Sequence, residues 1–398
     1  MEYYYPSLPK VHRMFLKRVN FLILINLIYF TGWSQQVTKY PPVDLQPFRD
    51  SEHHWYAINN EENVVTPKPN QPRYRPTELI EIGDNILLFQ KRNGGWPKNY
   101  DMLAILTDKQ KKKLEHVKND QNTTFDNSTT YTHIACLSMI YRETKINKYK
   151  EAALKGIEFI LTSQYPNGGW PQYYPLKDDY SRYVTYNDDV IAGIMKLLKD
   201  ILDEKPDYNY VDAVVKQKLK HAFDKGLQCI LKTQITDNGS LTAWCQQYDE
   251  KSLRTAWARK FEPPSICNGE SCGVLELLMS LQNPDKDVIK SVSSAVRWFN
   301  ESKINGVRVK TIEAPLTAYK YRVSHTDKIV VPDTAALPIW TRYYELETHR
   351  PLFCNRDSKV VYSLAEVERE RRDGYRWYTY EPQKILNSYP GWAQKWVK

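Results

Sequence analysis

The sequence predicts an all-α fold, an (α/α)3 toroid of helical hairpins, on three observations. Apolar residues recur at helical spacing in one segment after another between residues 77 and 302. A motif built on Gln, Gly and Trp returns after 74 and then 70 residues, room for two helices and their loops in each unit. Continuous β-alternation is scarce and supports only short hairpins around 173–186 and 305–331.

The elements follow in chain order. The 398 residues suffice for one large domain or two ordinary ones. The first 34 begin with Lys10, His12, Arg13, Lys17 and Arg18, then an apolar stretch over 19–30 broken by Asn20 and Asn26. Gly32 and Ser34 then stand as the small residues of a cleavage site, the order of a secretory leader over 1–34. The apolar stretch falls short of the roughly 20 residues a spanning helix needs. A secreted or periplasmic protein without stable membrane insertion is expected, with an uncleaved anchor as the alternative. Residues 35–76 contain seven prolines and read as an extended lead-in. Helices are predicted over 77–90, 129–143, 149–164, 188–202, 211–234, 271–282 and 287–302, within a catalytic domain taken as 77–398. The tail beyond Ser363 is expected to close the fold as a helix.

The repeat places Gln90, Asn93, Gly94, Gly95, Trp96 and Pro97 in one unit and Gln164, Asn167, Gly168, Gly169, Trp170 and Pro171 in the next. A looser third has Gln234, Asn238, Gly239 and Trp244. Each helix therefore ends in a glycine turn, and the Trp packs or projects at one common end of the toroid. Trp96 and Trp170 can either tie helix ends or stack on a sugar.

The net charge of +9 suits nucleic acid, an anionic membrane or an acidic polymer, and charge alone does not choose among them. Zinc-finger spacing, RNA-recognition blocks and long Lys/Arg runs are missing from the sequence, so nucleic acid is not an expected partner. With 29 Tyr and 11 Trp, carbohydrate is the better candidate. The six cysteines leave the disulfide pairing open, and Cys267 and Cys272 lack the further ligands of a zinc site.

Two aspartate clusters each open a predicted helix: TTFDNSTT, with Asp126, and VTYNDDV, with Asn187, Asp188 and Asp189. Either could be an N-cap. Both follow a Trp-bearing turn, however, so Asp126, Asp188 and Asp189 should meet on one face as hard oxygen ligands of the kind Ca2+ prefers. Arg259 and Arg342 lie in loops beside aromatic residues, where a guanidinium fork can bind a sugar carboxylate or pair with a nearby Glu such as Glu262 or Glu345.

The two NGGWP turns, TTFDNSTT, VTYNDDV, WCQQYD, ARKFEPPSICNGES and RYYELETHRPLF resemble, in order and spacing, the signature blocks of family 10 pectate lyases, across residues 79–357. The resemblance implies an (α/α)3 toroid, a Ca2+ cofactor and polygalacturonate as substrate. Residue by residue, it implies Asp126 as a calcium or substrate-calcium carboxylate and Asp188, with its neighbour Asp189, as metal ligand. It further implies Arg259 as Brønsted base, Arg342 as substrate-carboxylate clamp and Arg350 as a second clamp. Lys98, Asn187, Trp96 and Trp170 complete the candidate substrate-binding set. The cysteines at 267 and 272 depart from the family pattern but leave the named carboxylates and arginines in place.

The expected reaction is β-elimination, in which the C5 proton beside the uronate carboxylate is removed and the C4 oxygen departs, giving 4,5-unsaturated oligogalacturonides. A monomeric enzyme is expected. The rival readings are a glycoside hydrolase on the same toroid and a non-catalytic uronate-binding protein. A hydrolase needs two carboxylates about 5–10 Å apart, and the adjacent Asp188 and Asp189 should diverge at a helix start.

Overall fold

Helical periodicity becomes three hairpins. The computed structural model describes residues 40–58, 63–320 and 322–397, so the leader expected over 1–34 lies outside the described residues. The helices are α1 (Arg49–Ala57), α2 (Leu79–Phe89), α3 (Asp108–His116), α4 (Tyr131–Thr144), α5 (Asn147–Ser163), α6 (Val190–Leu202), α7 (Ala213–Thr233), α8 (Asn268–Met279), α9 (Lys286–Ser302), α10 (Arg369–Gly374) and α11 (Glu381–Trp396). Helices α4 and α5, α6 and α7, and α8 and α9 pack as pairs. The first members touch in succession, as do the second members, which makes two layers and an (α/α)3 arrangement. Helix α2 flanks one end against α4 and α5, and α11 flanks the other against α8 and α9.

Composition decides which helix lies inside. Helix α6 buries Val190, Ile191, Ala192, Ile194, Met195, Leu197, Leu198 and Ile201, residues spread around most of its circumference. The longer α7 buries a single stripe of Leu219, Ala222, Gly226, Cys229, Ile230 and Thr233 and turns its lysines outward. No described helix is long and apolar enough to cross a membrane.

Three local readings differ from the structure. The proline-rich lead-in carries α1, which fits between Pro47 and Pro67 and is fastened by Trp55, 2% exposed, whose indole donates to the Val65 carbonyl at 2.7 Å. Helix α3 has a single leucine and no apolar periodicity to announce it. A capping box holds it instead, with Thr107 Oγ1 accepting from Gln110 N at 3.3 Å and Gln110 Oε1 from Thr107 N at 2.9 Å. The segment 173–186 is not a hairpin: its strand Val184–Thr185 pairs with Gln247–Tyr248 of the next repeat. The other expected hairpin is present, as Val307–Ala318 against Val323–Pro332.

The repeated turn is one device used three times. Gln90 Nε2 donates to the Gly94 carbonyl within its turn and to Ala152 O of α5, both at 2.9 Å. Gln164 does the same to Gly168 O and Ala222 O, at 3.0 and 2.8 Å, and Gln234 to Thr242 O and Ser291 O, at 2.9 and 3.0 Å. The indole N–H of each Trp then satisfies a carbonyl of the preceding helix: Trp96 to Ile86, Trp170 to Ile160 and Trp244 to Ile230, at 2.8, 2.9 and 2.8 Å. Glycine is required in the first two turns. Gly168 has φ +96°, and a Cβ there would stand 2.1 Å from the Lys225 carbonyl oxygen.

Gly168→Ala should therefore lower unfolding stability by about 2 kcal/mol or more in denaturant titration. Gly239→Ala, at φ +77° but with no atom within 4 Å of the added methyl, should cost only the backbone strain, about 1 kcal/mol.

Candidate active site

The same device delivers the functional side chains. The residue two places after each tied Trp reaches one cleft: Lys98, Gln172 and Gln246. A fourth case lies outside the repeat. Trp340, wholly buried, donates to Phe299 O of α9 at 2.9 Å, and two residues later comes Arg342. Lys98 Nζ and Gln172 Nε2 both bond Asp126, at 2.5 and 2.7 Å. Gln246 Nε2 and Arg342 Nη2 both bond Asn187 Oδ1, at 2.6 and 3.1 Å.

The carboxylates come from the starts of the three inner helices. Asp126 precedes α4, Asp188 precedes α6 and Glu270 lies in the first turn of α8. The positive ends of all three helices thus face the cleft, where they favour negative charge. None of the aspartates serves as a cap, which settles the alternative left open by the sequence. The α4 start is closed by Thr130 N donating to His133 Nδ1 at 3.1 Å, and α6 has no side-chain cap. Asp188 and Asp189 instead have φ of +51° and +57°, backbone strain that turns the two side chains apart.

Asp126 is 4% exposed. Burial alone would raise its carboxyl, but Lys98, the bond from Asp188 and the Gln172 amide outweigh that and hold it well below the usual range. Asp188 hydrogen-bonds Asp126 and takes a bond from Asn187 Nδ2 at 2.6 Å. Loss of water from the crowded cleft floor and the facing Asp126 charge push its carboxyl well up, and Arg342 and Arg259 offset this only in part.

Two guanidiniums close the cleft. Arg342 pairs with the buried Glu270 at 2.7 Å, and its guanidinium lies 4.8 Å from the Tyr375 ring centre. Arg259, 44% exposed, makes a two-pronged bond to the buried Glu262: Nε to Oε2 at 2.7 Å and Nη2 to Oε1 at 2.5 Å. Burial opposes the charge on both arginines, but Glu270 and Glu262 respectively outweigh it and raise the pKa well above the ordinary value. Glu262, despite its burial, is pulled down to about 2 by Arg259, with Arg342 and a 2.8 Å bond from the Tyr375 hydroxyl assisting. The Tyr180 phenol lies within the fields of Arg259 and Glu262 on one side and Asp126 and Lys98 on the other; burial raises it to about 12.

The cleft unites Lys98, Asp126, Asn187, Asp188, Arg259 and Arg342. Four expected members fall elsewhere. Trp96 and Trp170 are wholly buried and tie helices, so they present no face to a sugar. Asp189 Oδ1 turns toward Gly273 of α8, and its carboxyl is raised to about 6 by loss of water around it and by Glu270 and Glu381. Among the described residues no three His, Cys, Asp or Glu side chains gather as a metal cluster, so Asp126 and Asp188 form a pair without Asp189. Arg350 pairs with Glu345 at 3.0 Å and stacks over Tyr362 at 3.9 Å, just before the strand Pro351–Cys354. Sequence reasoning missed Gln172, Tyr180 and Tyr375. The repeat held the signal for Gln172, which stands where Lys98 stands in the preceding unit. Cys267 hydrogen-bonds Cys245, and all six cysteines are buried free thiols.

A helical toroid with an open cleft of opposed carboxylates and carboxylate-binding arginines defines a polysaccharide lyase of acidic sugars. The comparisons agree. A sequence model of the family described as "Pectic acid lyase" matches residues 90–386, and the chain belongs to that family. The family 10 polysaccharide lyase from Cellvibrio cellulosa is 31% identical, with a TM-score of 0.67 over 79% of this chain and 91% of that one. A mutant of that enzyme in complex with trigalacturonic acid is 31% identical, with a TM-score of 0.66 over 80% and 92%. No curated protein matches the chain.

Arg342→Ala should reduce kcat/KM by at least about 100-fold, because it leaves Glu270 buried and unpaired. Arg350→Ala should change it by less than about fivefold, the value of an exposed pair. Steady-state kinetics on polygalacturonate compares the two.

Proposed function

We propose that this lyase cleaves polygalacturonate by Ca2+-dependent β-elimination, releasing 4,5-unsaturated oligogalacturonides. One observation carries the reading. Lys98, Arg259 and Arg342 each have a carboxylate, in Asp126, Glu262 and Glu270. Asp188 alone has no cation of its own among the described residues, and it faces Asp126 at hydrogen-bonding distance.

Two abutting carboxylates with neutral amide oxygens nearby fit a hard divalent cation, and the Asp126–Asp188 pair would hold it together with water and a substrate carboxylate. Bound there, Ca2+ would withdraw charge from the uronate carboxylate and so acidify the C5 proton. Arg342 is placed to orient that carboxylate. Glu262 engages Arg259 Nε and Nη2, which leaves Nη1 as the nitrogen that takes the C5 proton. The C5–H electron pair becomes the C4=C5 double bond, the C4–O bond breaks, and the departing oxygen takes a proton from water to become the hydroxyl of the released chain, while the proton on Arg259 passes to the hydroxide so formed. The enzyme is read as an exported monomer, its leader removed after Ser34.

The first test is the ultraviolet absorbance of the unsaturated product, with Ca2+ and then with EDTA. Reducing ends without that absorbance would mean hydrolysis and would remove Arg259 from its role. Asp188→Asn should weaken apparent Ca2+ affinity at least about 100-fold, whereas Asp189→Asn should leave it within a few-fold. Equal losses in both would restore Asp189 to the site.

The pH dependence follows from the Arg259–Glu262 pair. As base, Arg259 must be neutral, and Glu262 favours its charged form, so the rate should climb through the alkaline range. Glu262→Gln removes the stabilising charge and should move that limb down by about 1 pH unit or more, with a lower plateau from lost orientation. An unmoved limb would mean that another group titrates.

A further inference from the structure

Beside the Lys98–Asp126 pair the cleft face continues into a groove of about 370 Å³, within the range of small-ligand sites. Among the described residues three lysines line it, Lys98, Lys113 and Lys177, against one acid, Asp120. Lys177 Nζ lies 3.5 Å from the centre of the Tyr173 ring, and Lys98 Nζ lies 5.6 Å from it. The groove also contains two buried amide oxygens, Asn63 Oδ1 and Asn122 Oδ1, that accept no hydrogen bond. The lysines outnumber the acid, so this groove suits a ligand that carries negative charge.

The groove is continuous with the catalytic cleft. Lys98 lines the first and bonds Asp126 in the second. Tyr173 directly follows Gln172, which holds the other Asp126 oxygen. A chain lying across Asp126 has this groove as its next resting place. Asn63 and Val64 help to line it, and both precede residue 90, where the family match begins.

We propose that this groove is a distal subsite for one uronate unit of the bound polymer. Its carboxylate pairs with Lys113 and Lys177, which both line the groove. The proposal rests on the polygalacturonate reading above and adds to it a preference for longer chains, built partly from the lead-in.

The test is calorimetric binding of trigalacturonate and hexagalacturonate in an Arg259→Ala background, where the ligand is not cut. In Lys113→Ala/Lys177→Ala the affinity for the hexamer should fall about tenfold, as for two exposed charge pairs, and that for the trimer should stay within twofold. Lys113→Glu/Lys177→Glu should weaken the hexamer further through repulsion, with the trimer again within twofold. No loss on the hexamer would overturn the proposal. An equal loss on both oligomers would place the effect in the central cleft and overturn it too. The reaction is read separately: wild-type enzyme that gives no unsaturated product would sink the proposed chemistry, while the difference between long and short ligands would still report on the groove.

Discussion

The bond from a buried indole N–H to the last turn of a helix is the constraint on which this molecule depends. A helix end leaves carbonyls without partners, and here Trp96, Trp170, Trp244 and Trp340 each supply a donor there while wholly excluded from water. The chain therefore leaves each helix at a fixed point and direction. The position two residues on inherits that precision, so Lys98, Gln172, Gln246 and Arg342 meet although 244 residues separate the first from the last. The glycines serve the same end. Gly156 and Gly226 admit the rings of Trp96 and Trp170 so closely that a Cβ would lie 2.9 and 3.0 Å from them.

Electrostatics then distinguishes the cleft from a merely well-tied helical face. The three inner helices aim their positive ends at it, which favours Asp126, Asp188 and Glu270 as anions and suits an anionic substrate. Each local cation has a carboxylate, so the cleft is nearly balanced, and the net charge of +9 is carried largely elsewhere. Attraction of a polyanion can thus act at range, while the contacts at the reacting sugar are set by particular partners. Asp188 is the exception that the balance leaves over. Loss of water and the facing Asp126 charge raise its carboxyl, and Arg342 and Arg259 offset this only in part.

Much of this was legible in the sequence where a pattern had one physical cause. The Gln–Gly–Trp spacing required helix pairs ending at one face, and the hairpins α4–α5, α6–α7 and α8–α9 follow from it. Aspartates at two helix starts, behind those turns, pointed to the carboxylate pair. Legibility ended where two causes share one signal. A Trp in a turn can tie a helix or face a sugar, and only burial decides; Trp96 and Trp170 tie helices. Adjacent aspartates look equivalent in sequence, but two successive positive φ values send Asp188 into the cleft and Asp189 against α8. An arginine beside a proline-bounded strand, as at Arg350, says nothing of which side of the sheet it serves. Tyr375 had no pattern at all, because it reaches Glu262 across 113 residues through tertiary packing alone.

The Arg259–Glu262 pair joins two demands that pull in opposite directions. A proton acceptor in this cleft must stand at a fixed position, and an arginine that is 44% exposed would otherwise sweep a wide arc. Two parallel bonds to a carboxylate that is itself buried and held by Tyr375 remove that freedom. They also stabilise the protonated guanidinium, which works against its use as a base. A lysine could not resolve the conflict, since its single nitrogen would be consumed by the anchoring bond. Arginine can separate the two tasks among its nitrogens: Nε and Nη2 are anchored on Glu262, and the proposal gives the proton to Nη1. In the proposed reaction the cost of the anchor is a shift of activity toward alkaline pH, and its return is a base that needs no reorientation when the C5 proton arrives.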